Sequence, residues 1–145
     1  MLLPTHLALT AIAAKGMHLR GLDLAYALLF GVGIDLDHYL RPSRFKDPNF
    51  WRSDGTHCDH TWLHEPFGLL AVALFSLGIK NPVPLIFYGM HFFIDQFVLR
   101  ALNKPFAPFS GRTYLYGLIP SGSKAEWMMA PFLLVGSLAY LAWGP

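Results

Sequence analysis

Apolar residues gather along this chain into five stretches separated by polar, proline-containing segments. The first covers about Pro4–Leu19, and its opening proline suits a first helical position, where an N–H would be unpaired anyway. The second covers about Leu22–Leu40 and is stopped by Pro42. Arg41–Gly55 is polar and aromatic, which predicts a loop. The third helix is predicted over about His60–Ile79, with Pro66 near its first turn. Asn81-Pro82 breaks the chain before a fourth helix over about Val83–Leu102. Asn103–Ser123 is rich in Gly, Pro and Ser and predicts an extended connection to a fifth helix over about Lys124–Trp143. No segment alternates clearly enough to predict a strand, and no repeat is present. The expectation is a single all-α domain over residues 1–145, a bundle of about five apolar helices.

Composition moves this bundle toward lipid. The chain is 54% hydrophobic and 14% charged, with a mean hydropathy of +0.39. Soluble domains carry about 25% charged residues, and a chain this small cannot bury so much apolar surface in water. Twelve Phe, six Tyr and four Trp fit interfacial anchors. Trp127–Pro145 has no charged residue across 19 positions, whereas Pro66–Ile79 and Asn81–Ile94 are uncharged over 14 each. The shorter two reach spanning length only if polar residues at their ends sit in the headgroup region or face the bundle interior. Net charge of +2 gives no case for nucleic acid. The lone cysteine, Cys58, forms no internal disulfide. The N-terminus lacks the basic region and cleavage site of a signal peptide.

Basic residues set an expected topology. Arg41, Arg44, Lys46, Arg52, Arg100, Lys104, Arg112 and Lys124 fall on one side of the bundle, against Lys15, Arg20 and Lys80 on the other. Cytoplasmic loops attract Lys and Arg. The expectation is therefore a multi-pass plasma (inner) membrane protein with its N-terminus and both long loops cytoplasmic.

Histidines and aspartates then concentrate at helix ends. Asp35 and His38, in Asp35-Leu36-Asp37-His38, are three apart and share a helical face. Two carboxylates at a helix C-terminus oppose its dipole and call for a positive partner. His57, His60 and His64 fall within eight positions; neutral imidazole is the commonest side-chain metal ligand. Which of the three ligate stays open, His57 being the first to drop. His91 and Asp95, four apart inside an apolar stretch, share a face as well. Ionisable groups there are expensive and are usually paired or functional. His6 would be a coincidence alone, but the topology places it on the same side as Asp35, His38, His60, His64 and Asp95, with His91 about 13 Å deeper than Arg100. His18 falls at the opposite end. The pattern predicts a metal site at the cytoplasmic end of the bundle.

Thr5-His6, the Asp35-Leu36-Asp37-His38 run, the His-rich segment opening a helix, and Gly89-Met90-His91 followed by Asp95 resemble the YdjM-like membrane-bound metal-dependent hydrolases. That pattern is similar to the zinc-dependent phospholipase C and P1 nuclease group. The resemblance covers roughly residues 5–120, including the aromatic, Arg-containing stretch Pro105–Gly117. Ile34 stands where the family usually has Pro, and the family's His-Arg-Gly-x-Thr-His segment is not reproduced. The resemblance implies a phosphoesterase acting on a lipid-linked, membrane-proximal or small-molecule substrate, with membrane lipid as its surroundings. His6, Asp35, His38, His60, His64, His91 and Asp95 would be ligands to zinc, or to iron or manganese. Asp37 would be a ligand or the base, and Arg112, with Arg44 as a second candidate, would neutralise phosphate. Two rivals stand beside it: a di-iron membrane oxidoreductase, and a non-catalytic membrane protein with a structural metal site.

Overall fold

The computed structural model describes residues 3–36, 62–103, 106, 109–110, 112, 114–120 and 123–144. Five α-helices carry the fold among these residues: α1 (Leu3–Gly16), α2 (Gly21–Gly31), α3 (Pro66–Gly78), α4 (Val83–Phe93) and α5 (Lys124–Trp143). Short 3-10 helices at Gly33–Asp35 and Trp62–His64 follow α2 and precede α3, and a π-helical turn, Ile94–Val98, continues α4.

The helices start and stop for local reasons. Lys80 takes a left-handed conformation, and Asn81 Oδ1 then accepts the backbone N–H of Val83 at 2.9 Å to open α4. Asn81 Nδ2 also donates to Asp23 Oδ1 at 2.7 Å, tying this turn to the first turn of α2. The residue Ser123 caps α5 by accepting the Glu126 N–H, the Ser-x-x-Glu arrangement of a capping box. At the far end of α5, Lys15 Nζ donates to the carbonyls of Tyr140, Leu141 and Gly144. A cation on the last carbonyls suits the helix dipole. The same contact brings the C-terminal ends of α1 and α5 together.

Three predicted boundaries are corrected. The second helix does not continue regularly to residue 40: α-helical geometry ends at Gly31, and Asp35 lies on a 3-10 turn. The third becomes α-helical only at Pro66, which cannot sit in a helix interior without removing a hydrogen bond. The fourth ends in the π turn, and Leu99–Asn103 is a strand, β1. With β2 (Tyr114–Tyr116) and β3 (Ile119–Pro120) it forms a sheet in the order β2-β1-β3. Ala101 pairs with Tyr116 in the antiparallel ladder, and Leu99 with Ile119 in the parallel one. No strand was expected, because two- to five-residue strands leave too little alternation to read.

The bundle is polar inside and apolar outside. Twelve polar or charged residues are buried among the described residues, against eight hydrophobic ones. Leu22, Leu70, Leu74, Leu77, Phe132 and Trp143 lie in the open, among many other large apolar side chains. Of α5, only Glu126, Ala130 and Ser137 are buried. This helix is long and apolar enough to cross a membrane; α2, α3 and the α4–π segment are apolar but shorter. The close approach of α1 to α2 depends on Gly31, where a Cβ would collide with Thr10.

Candidate metal centre

Four side chains from three separate stretches of the chain meet at one buried point. His6 comes from the first turns of α1, Asp35 from the 3-10 turn after α2, His91 from the last turn of α4 and Asp95 from the π turn. One ligand atom from each lies within 4.8 Å of all the others, so the group could hold a metal ion. Their exposures are 1–3%. His6 Nε2 lies 3.1 Å from Asp95 Oδ1 and 3.6 Å from Asp35 Oδ2. His91 Nε2 lies 3.2 Å from Asp95 Oδ2 and 3.6 Å from Asp35 Oδ1. Two donors on a tetrahedral ion at about 2.0–2.1 Å stand about 3.3–3.4 Å apart, so these spacings match the edges of a coordination shell.

Irregular helix geometry builds the site. Two of its four residues, Asp35 and Asp95, sit where the helix tightens or widens rather than in regular turns. The π turn buries two consecutive side chains, Asp95 and Gln96. A regular α-helix would turn the second away by about 100°. Such turns recur at functional sites.

The tautomer of His91 bears on what occupies the centre. Its Nδ1 lies 3.1 Å from the Gly31 carbonyl, which can only accept, so Nδ1 carries a proton. A neutral ring then presents the Nε2 lone pair to the two carboxylates, and Nε2 makes no aligned hydrogen bond. A lone pair facing carboxylate oxygens is repulsive unless a cation stands between them. The rings of His6 and His91 are also stacked, with centroids 3.9 Å apart and planes at 11°. Charging both rings would balance the two aspartates only by stacking two cations. A divalent ion balances them with both rings neutral, and buried carboxylates need such compensation. An imidazole held through its other nitrogen by a backbone carbonyl is the usual outer support of a ligating histidine.

A fifth side chain borders the group. His64 Nε2 lies 3.3 Å from Asp35 Oδ1, and its ring centroid is 5.3 Å from that of His91. Gln96 Nε2 donates to the His64 backbone carbonyl at 2.8 Å, and the Tyr88 hydroxyl donates to the carbonyl of Leu63. These bonds fix the short 3-10 turn that carries His64. Glu65, fully buried beside it, stands at the N-cap position of α3 and accepts the Gly68 N–H through its backbone carbonyl.

Of the seven ligands expected, His6, Asp35, His91 and Asp95 converge and His64 adjoins them. His38 and His60 lie outside the described residues, as do Asp37, Arg44 and His57. Arg112 is exposed, with its backbone N–H donating to Ser110 Oγ at 3.3 Å. Gly31 and Gln96 were not foreseen. Gln96 carried a signal, being a second polar residue in an apolar stretch, but regular helical spacing put it off the site face. No protein-family model, curated protein or solved structure matches this chain.

Proposed function

We propose that this chain is a membrane-embedded, metal-dependent hydrolase, a phosphoesterase acting on a lipid-linked or membrane-proximal substrate. The observation that carries the reading is the buried His6–Asp35–His91–Asp95 group, in which His91, held through Nδ1 by the Gly31 carbonyl, faces two carboxylates with Nε2. A mixed nitrogen and oxygen donor set suits zinc, with iron or manganese as rivals. A bound divalent ion would supply a water acidic enough to attack near neutral pH and would polarise a phosphoryl oxygen.

The chain's own residues have distinct parts in this reading. His6, Asp35, His91 and Asp95 hold the ion, with His64, His38 and His60 completing the shell or a second ion's shell. Asp37, two positions beyond Asp35, ligates or accepts the proton of the attacking water. Arg112, exposed in the connection before α5, meets phosphate oxygens. The apolar exterior and the spanning length of α5 support placement in a bilayer. The shorter helices would enter it as further passes, with the site end cytoplasmic. The resemblance to the YdjM-like hydrolases, carried by Thr5-His6, the Asp-Leu-Asp-His run and His91…Asp95, supports hydrolysis over a structural role.

The test is detergent-purified protein assayed against a panel of phosphomonoesters and phosphodiesters, with and without chelator. Chelator-sensitive turnover lost in Asp37→Asn supports the reading. A full metal complement without turnover on any phosphoester favours a structural metal site, and oxygen-dependent turnover with iron favours the oxidoreductase.

A further inference from the structure

A second feature lies at the opposite end of the bundle, where α1 turns into α2. A groove of about 450 Å³ opens there between α1, α2 and the last turn of α5. Leu24, Leu28 and Leu141 form much of its apolar wall, and Lys15, His18 and Arg20 supply its polar lining. Among the described residues no carboxylate lines it. From Arg20 to Leu28 the wall runs about 12 Å along α2. The groove is distinct from the metal centre, since Lys15 stands about 13 Å along α1 from His6.

We propose that this groove binds an anionic phospholipid, with the phosphate at His18 and Arg20 and an acyl chain along Leu24 and Leu28. The polar groups divide the work. All three N–H bonds of Lys15 are committed to the carbonyls at the end of α5, so it contributes charge while holding the groove wall in place. Arg20 and His18 are exposed. Neither side chain has a hydrogen-bonding or ion-pair partner among the described residues. Asp23, the nearest acidic residue in the chain, is engaged by Asn81, which leaves the groove mouth positive. A guanidinium at the mouth of an apolar trough matches a phosphate joined to a hydrocarbon chain. A free phosphate would leave the trough empty, and a neutral apolar molecule would leave Arg20 unused.

This site rests on the placement of the bundle in a bilayer but can be probed without one. Dioctanoyl phosphatidylglycerol and dioctanoyl phosphatidylcholine, presented singly to protein in neutral detergent, are compared by native mass spectrometry, with inorganic phosphate as competitor. The phosphatidylglycerol should bind about tenfold more tightly, as one charge-assisted contact implies. Arg20→Glu with His18→Ala should remove that preference. Leu24→Trp, which fills the trough, should weaken both lipids, and metal content should stay intact in each variant. Equal binding of the two lipids, a preference that survives Arg20→Glu, or displacement by phosphate alone would overturn the proposal. Protein that stays monodisperse without detergent would instead contradict the bilayer placement, whatever the lipid preference.

Discussion

His6 and Asp95 stand 89 positions apart in the chain, yet His6 Nε2 lies 3.1 Å from Asp95 Oδ1 in the buried centre of the bundle. The contact joins the first helix to the irregular end of the fourth. It commits two helices to one polar point that neither could bury alone.

Metal supply should therefore stabilise the fold. Ligand binding restricted to the native state adds about 2.7 kcal/mol at a hundredfold excess over Kd. Thermal unfolding in detergent, followed with and without zinc, should show a rise in Tm that chelator reverses. An unchanged Tm across the titration would contradict a site formed by folding.

Lowering the pH should release the ion. Its ligands bind as neutral imidazole and carboxylate, so protons compete with metal for the same atoms. Retained metal, measured after dialysis at a series of pH values, should fall on the acid side and recover on return to neutrality. Retention independent of pH would contradict His/Asp ligation.

Gly31 links helix packing to the site. A methyl group there would strike Thr10 and push away the carbonyl that orients His91. Gly31→Ala should cost about 1–3 kcal/mol, as overpacking does, and about 10–100-fold in metal affinity, as loss of an outer partner does. Thr10→Ala in the same chain should restore part of both. Additive effects of the two changes would show that the clash is not the cause.

Gln96 should act through the backbone of His64. Gln96→Leu leaves that buried carbonyl without its 2.8 Å donor, at a cost of about 1–3 kcal/mol. Thermal unfolding should register the loss, and metal affinity should fall less than in Gly31→Ala. Lys15→Met is the contrasting case: it removes the cation from the end of α5 and should lower Tm without touching metal content.

Much of the helical frame was legible because it depends on local rules. Proline at helix starts, the Asn81-Pro82 break and the apolar run of α5 each act over a few residues, and α5 spans the expected Lys124–Trp143. The His91–Asp95 spacing was legible for the same reason. The endings of α2 and α4 were not. A 3-10 or π turn changes which side chains face inward without changing the apolar pattern, so Gln96 was hidden behind ideal helical geometry. The short strands depend on pairing between Leu99–Asn103 and residues more than ten positions away. His91's anchor, the Gly31 carbonyl, is 60 positions distant and is a backbone atom, which no side-chain pattern announces.

The most direct test of the metal centre is elemental analysis of purified protein against Asp95→Asn, which keeps the side chain's shape and removes its charge. The wild-type chain should hold a divalent transition metal in at least equimolar amount, and Asp95→Asn should bind it about 100-fold or more weakly, as loss of a ligand exceeds loss of an outer partner. Equal metal content in the two proteins, or folded wild-type protein that takes up no metal when supplied with it, would contradict the account.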